Sequence, residues 1–253
     1  KELVLPAELV WRSGRDLMLS QAPEEDVTVA GLALALVGWH EGAQFHGKDG
    51  QKTEPVEGGM KRKGISGGSK LYPRIDTVAI GLITSPDGRQ ILLGRNPTYP
   101  KGMYTCLSGF AEPCESIEEA FRREAMEEAG IELAHVSLVA TQPWPIGRAG
   151  ACELMVGCRA VAASSSFCVD PQELEDAKWF TRAEALSMLE DKHPDGLRTP
   201  GNYAIAHHLI SSWAYESPKE RLAGQLLSSL TPAFTAVLGL IAGFMFAQLR
   251  SRM

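Results

Sequence analysis

None of the five cysteines, Cys106, Cys114, Cys152, Cys158 and Cys168, stands in a C-x-x-C pair, and their number is odd. That pattern speaks against a disulfide framework and fits free thiols in a reducing compartment. Positive charge is in deficit as well: 25 Lys and Arg against 31 Asp and Glu leave a formal net charge of −6. That balance argues against holding nucleic acid through a broad basic surface. No internal repeat or low-complexity tract is present. The chain opens at Lys1 rather than Met, so its natural start and any targeting peptide are expected upstream. What it does have is 253 residues with 44% apolar content, enough for one large domain or two small ones.

Four stretches are expected. Residues 1–40 read as the remnant of an N-terminal domain, and residues 41–72, rich in Gly, Lys and Ser around "GGMKRKGISGGSK", as a linker. Residues 73–215 read as the main domain and residues 216–253 as a tail. In the main domain "TVAIGLIT" and "QILLGR" have strand composition and flank "SPDG", where Asp87-Gly88 supplies a hairpin turn, so a sheet is expected from Thr77. Ser116 with Glu119 forms a capping-box pattern and Gly130 a stop signal, which predicts a helix over Ile117 to Ala129. "HVSLVATQ" and "CELMVGCRAVAA" read as strands, while "TRAEALSML", with Thr181 and Glu184 as a second capping box, and "NYAIAHHLISSW" read as helices. Strands alternating with helices predict an α/β sandwich.

The helix between Ile117 and Ala129 is crowded with carboxylates. Glu124, Glu127 and Glu128 lie at i, i+3 and i+4 and project from one face. Like charges that close repel, and a hard divalent cation such as Mg²⁺ or Mn²⁺ relieves them. Such a cluster points to metal-assisted cleavage of a diphosphate. The ordinary reading of a Glu-rich segment is a solvated face with local pairs to Arg122 and Arg123. Spacing decides between the two. Gly109, five residues, Glu115, seven residues, Arg123-Glu124, then Glu127-Glu128, Gly130 and Ile131 match the Nudix box at every defining position.

The sequence therefore resembles the Nudix hydrolases, which cleave a nucleoside diphosphate linked to another moiety. The resemblance implies an α/β/α sandwich with a mixed sheet. It also implies that Glu124, Glu127 and Glu128 hold Mg²⁺ or Mn²⁺ and organise the attacking water, supported by Glu115 and Arg123. Downstream, "TQPWP" at Thr141 to Pro145 is similar to the S-Q-P-W-P-F-P-x-S signature of the NADH pyrophosphatase branch. "YPRID", "LSGFAEP", "DPQELEDAKWF" and "AIAHHLISSW" follow in the same order, over roughly Trp39 to Trp213. On that resemblance Phe110 and Tyr72 sandwich an adenine ring, the tyrosine reaching in from a partner subunit of a homodimer. Glu173 is a further metal ligand or base, and Gln142 and Ala206 line the nucleotide pocket.

Two departures stand out. Members of that branch carry F-C-x-x-C-G and a second C-x-x-C as a zinc ribbon, whereas this chain reads "FHGKDG", with His46 and Asp49, and then "RKGISGGS". Structural zinc is not expected, since tetrahedral Zn²⁺ needs four Cys or His ligands. After "QPWP" the chain has "IGRAGACELM", an insertion of about four residues that places Arg148 beside the specificity loop.

The tail differs in kind. From Leu222 to Leu249 there is no charge, and "AFTAVLGLIAGFMFAQL", residues 233–249, predicts a transmembrane helix, with Gly239 and Gly243 as a G-x-x-x-G pair. A C-terminal anchor flanked by "RSR" is expected on a mitochondrial or peroxisomal membrane, with the enzyme facing the cytosol. The expected activity is hydrolysis of NADH or NAD⁺ to AMP and nicotinamide mononucleotide. The alternatives are another nucleoside diphosphate derivative such as ADP-ribose or NAD-capped RNA, or a retired enzyme that binds nucleotides as a membrane scaffold.

Overall fold

The stretch Ile75–Thr84 is buried without interruption from Val78 to Ile83. A strand that meets water on neither face belongs between two layers, and this one lies at the centre of the molecule's larger sheet. The computed structural model describes residues 13–19, 22–147 and 151–217. In chain order its elements are α1 (Gly14–Leu19), α2 (Glu24–Gly42), β1 (Thr53–Val56), β2 (Lys61–Gly64), β3 (Lys70–Leu71), β4 (Ile75–Thr84), β5 (Gln90–Arg95), β6 (Leu107–Phe110), α3 (Ile117–Ala129), β7 (Leu133–Trp144), β8 (Cys152–Ala162), β9 (Asp176–Thr181), α4 (Arg182–Leu189) and α5 (Ile205–Ala214). Lys1–Ser211 form one compact unit and Ser212–Met253 a second, of which residues 212–217 are described.

The larger sheet runs β7-β8-β4-β5-β9, with β6 also paired to β4. Only the β4–β8 pairing is parallel, so the sheet is mixed, as the resemblance implied. Alternation along β4 sorts its two faces. Ala79 and Ile83 join Leu92, Leu107, Cys158 and the helical residues Ala120, Phe121, Ala125 and Ala129 in one buried cluster. The three alanines let α3 lie close to the sheet, and Phe121 fills the space between. On the opposite face Gly157, level with Ile80, receives Ile205 of α5. Helices on both faces make the α/β/α sandwich.

Both capping boxes form, at Ser116–Glu119 and at Thr181–Glu184, and Gly130 closes α3 in the left-handed region at φ 54°. One expected boundary moves. The sheet begins at Ile75, two residues before Thr77, because β8 pairs with β4 from Cys152 onward. "QPWP" lies within the sheet: Gln142, Pro143 and Trp144 pair with Met155, Leu154 and Glu153 as the end of β7. Proline is tolerated there because β7 is an edge strand.

The stretch at 41–72 is folded rather than a bare linker. It carries the three-stranded sheet β1-β2-β3, and two turns beside it are clasped by side chains. His46 is buried; its Nδ1 accepts from the Lys48 amide at 3.3 Å and lies 3.2 Å from Asp49 Oδ1, and its Nε2 lies 3.4 Å from Ser69 Oγ. Gln51 Nε2 donates to Asp49 Oδ2 at 2.7 Å, while Gln51 Oε1 accepts from the Ser66 amide at 3.2 Å. The side chains that meet here are one imidazole, one amide-bound carboxylate and a hydroxyl. That set does not fit a tetrahedral structural zinc, which takes thiolates and imidazoles.

The expected membrane helix at 233–249, its G-x-x-x-G pair and Arg148 lie outside the described residues. Among the described residues no helix is long and apolar enough to cross a membrane.

The clasp has a measurable consequence. Replacing His46 with alanine should speed hydrogen exchange up to about tenfold at the amides of residues 46 and 65, which donate to Gln51 and Lys52, and leave β4 amides unchanged. Unchanged exchange at both amides would show that the ring contacts do not hold the turns.

Candidate active site

Arg123 stands at the middle of the acidic face of α3. Its Nε and one terminal nitrogen donate to the two oxygens of Glu115 at 2.8 and 2.9 Å, a bidentate pair. The other terminal nitrogen donates to Glu124 Oε1 at 2.7 Å and to Glu127 Oε2 at 2.9 Å. A further bond, 2.8 Å long, runs from the guanidinium to the carbonyl of Phe110. One cation thus ties the helix to β6 and to the loop between them. Glu115 is anchored from its own side by the Glu112 amide at 2.9 Å. The guanidinium holds the Glu115 carboxyl down at about 2, and Glu115, followed by Glu124, keeps Arg123 charged above its ordinary range.

The other carboxylates are pushed the opposite way. Burial raises Glu124, with Arg123 partly opposing it. Glu128 goes further, up to about 8, first through burial and then through the charge of Glu124, with a hydrogen bond from the Ser108 backbone pulling against them and Glu173 and Glu127 adding to them. Its Oε2 is buried with no hydrogen-bond partner. Tight packing at β6 enforces this crowding: a Cβ at Gly109 would sit 1.8 Å from the Glu124 carboxyl carbon, so only glycine fits under the helix.

Glu124, Glu127, Glu128 and Glu173 line one cavity of about 340 Å³. Glu173 comes from the segment before β9, so the fold brings the four expected metal ligands together from two distant parts of the chain. Among the described residues no three His, Cys, Asp or Glu side chains are already closed into a cage. In the cluster Arg123 engages one oxygen each of Glu124 and Glu127. The donor set still fits a hard divalent cation: all-oxygen, mutually repelling, and with one buried oxygen left unpartnered.

A second cavity, about 680 Å³, adjoins the first and shares Tyr99, Thr105, Cys106, Ser108, Gly109 and Phe110 with it. Phe110, Gln142 and Ala206 line it, where the resemblance put a nucleotide. Gln142 is more firmly engaged than expected. Its Nε2 donates to the Tyr203 carbonyl at 2.7 Å and its Oε1 accepts from the Ile205 amide at 2.7 Å, so it pins the start of α5. Tyr72 lines neither cavity; it is exposed, with Lys61 Nζ 5.2 Å from its ring centroid. Sequence reasoning passed over Trp144 and Tyr203, whose rings stack at 6.5 Å in the cavity wall, and Glu153 on its floor. Trp144 was signalled by "QPWP"; nothing in the spacing links Tyr203 to it.

A NUDIX domain family model matches residues 74–199, the span that holds the box, Glu173 and the larger sheet. The chain belongs to the Nudix family. The chain is 41% identical to NAD-capped RNA hydrolase NUDT12 of Homo sapiens over 210 residues, covering 79% of this chain and 44% of that protein. It is 38% identical to Nudix hydrolase 19, chloroplastic, of Arabidopsis thaliana, covering 83% and 58%. Against NAD(P)H pyrophosphatase NUDT13, mitochondrial, of Homo sapiens the identity is 36%, covering 77% and 57%. The chain spans about half the length of these curated relatives.

The strained carboxylate of this Nudix site predicts a pH signature. In metal-stripped protein Glu128 contributes stability that is fully present below its ordinary value of 4.5 and is lost as pH rises through about 8. Glu128→Gln should therefore melt above wild type in chelator, with a gap of several degrees that widens from pH 4.5 to 8. Equal melting temperatures across that range would contradict a buried, repelled carboxylate.

Proposed function

We propose that the chain hydrolyses the diphosphate of NADH or NAD⁺ in a reaction dependent on Mg²⁺ or Mn²⁺, releasing AMP and nicotinamide mononucleotide. The observation that carries this reading is the convergence of Glu124, Glu127, Glu128 and Glu173 on one cavity that opens beside a nucleoside-sized one. Glu124 and Glu128 would hold the metal from the buried side and Glu127 and Glu173 from the exposed side. When bound, the metal supplies charge neutralisation across the diphosphate and a more acidic water. Arg123 keeps Glu124 and Glu127 in place, and Glu115 in turn orients Arg123. Hydrolysis forms one bond from water oxygen to phosphorus and breaks one bridging P–O bond, so no redox partner is needed. Phe110 offers a flat face for the base, and Gln142 and Ala206 shape its far wall. Tyr72, exposed and away from both cavities, is assigned to the site of a partner subunit in a homodimer.

The names of the relatives support this class of substrate. "NAD-capped RNA hydrolase" also favours a second reading, in which the same bond is cut at the end of an RNA. The net charge of −6 argues for short contacts with such an RNA rather than an extended one. "Chloroplastic" and "mitochondrial" in two of the names support an organelle setting, and the uncharged run from Leu222 to Leu249 supports a membrane tether there.

Purified protein with Mg²⁺ and NADH should yield AMP, and Glu127→Gln should lower the rate about 10²-fold or more. Equal traces from the two proteins would remove Glu127 from the chemistry. A protein ending at Arg221 should move from the membrane pellet to the soluble fraction; continued pelleting would remove the tether.

A further inference from the structure

The loop between β5 and β6 turns its carbonyls inward onto one side chain. Arg95 is the last residue of β5, and its side chain is only 12% exposed. Its guanidinium donates to the carbonyl of Pro100 at 2.6 Å and to that of Tyr99 at 3.2 Å, with the Met103 carbonyl 3.5 Å away. The remaining edge of the fork serves another segment, with Nε 2.9 Å from Glu175 Oε2. The Glu175 side chain is 51% exposed, so the ion pair alone is weak. The carbonyls fix the guanidinium, and the fixed guanidinium then gives Glu175 one place to sit.

Both ends of this bridge belong to the site. Tyr99 lines both cavities, and Pro100 and Met103 line the larger one. At the other end, Glu175 lies two residues after Glu173. Glu124, Glu127 and Glu128 share α3, whereas Glu173 is exposed and lies outside any helix or strand. Its backbone is what places it. The Glu173 amide donates to the Asp170 carbonyl at 3.1 Å, its carbonyl accepts from Asn96 Nδ2 at 3.3 Å, and the Glu175 amide donates to the Arg95 carbonyl at 2.8 Å. Asn96 ties the same two segments together, since its Oδ1 accepts from the Thr98 amide at 3.0 Å and from Thr98 Oγ1 at 2.6 Å.

We infer that Arg95 is a positioning residue for both halves of the site: through Glu175 it sets Glu173 at the divalent cation, and through the Tyr99 and Pro100 carbonyls it sets the wall that the two cavities share. This rests on the metal-dependent dinucleotide reading of the carboxylate site. Lysine cannot replace arginine there, because one ammonium on a flexible stem does not serve a carboxylate and the loop carbonyls together.

The test reads Mn²⁺ binding directly, from the electron paramagnetic resonance of the free ion, together with KM for NADH at saturating Mn²⁺. Gly94 and Asn96, on either side of Arg95, line the acidic cavity, so removal of its positive charge would by charge alone tighten a bound cation. Positioning has the opposite sign: Arg95→Gln and Arg95→Lys should each weaken Mn²⁺ binding and raise KM, both by about threefold or more. Unchanged or tighter Mn²⁺ binding by folded Arg95→Gln overturns the metal half of the inference, and an unchanged KM overturns the wall half. Wild-type values for Arg95→Lys would show that charge suffices and overturn both; this variant also carries the KM comparison should Arg95→Gln not fold. Glu175→Gln, at a half-exposed position, tests the metal half separately. It should weaken Mn²⁺ binding with KM unchanged, and add nothing in a Glu173→Gln background. An equal loss in both backgrounds would mean that Glu175 acts by its charge and not through Glu173, against the inference. Wild type that neither binds Mn²⁺ nor cleaves NADH removes the functional reading; wild type that does both, with Arg95→Gln binding as tightly, removes the role of Arg95 alone.

Discussion

A guanidinium set among three carboxylates neutralises only part of their charge, and the remainder shapes this site. Arg123 bonds Glu115, Glu124 and Glu127, yet Glu128 lies beyond its reach with one oxygen buried and unpartnered. Without Arg123, Glu124 and Glu127 would lose their shared counter-charge and the loop at Glu115 would lose its bidentate tie to the helix. With it, the repulsion is concentrated at the buried end of the cluster, where burial and then the neighbouring carboxylates push Glu124 and Glu128 upward. That leftover charge is what gives a divalent cation a reason to bind.

Packing supplies the confinement that electrostatics alone would dissipate. Three alanines seat α3 against the sheet, and the missing side chain at Gly109 admits the Glu124 carboxyl group beside β6. Carboxylates on a loosely docked helix would swing into water and relax. The opposite face of the sheet shapes the larger cavity instead, where Gln142 anchors the start of α5 and so fixes one wall. The two cavities meet at β6, whose Ser108, Gly109 and Phe110 serve both.

Where a signal is local in the chain, the sequence was legible. The bounds of α3 follow from Ser116, Glu119 and Gly130, all within one turn of the ends they define, and the helix occupies the expected residues. The box residues were readable for the same reason, since helical spacing alone puts Glu124, Glu127 and Glu128 on one face. Non-local features were not. α5 starts at Ile205 rather than at Asn202 because its first amide is met by Gln142, 63 residues earlier. The four-residue β6 is too short to show alternation, and Pro143 interrupts the strand composition before β7 reaches its end at Trp144. The clasp around His46 was hidden because Ser66 and Ser69 have meaning only once β2 folds back on β1.

Diffraction from crystals soaked in Mn²⁺, read through the anomalous signal of the metal, tests the central claim most directly. The account predicts anomalous density within coordinating distance of Glu124, Glu128 and Glu173, with Glu127 drawn towards it and Arg123 still bonded to Glu115. Density elsewhere, or none in the acidic cavity at a Mn²⁺ concentration that supports turnover, would contradict it.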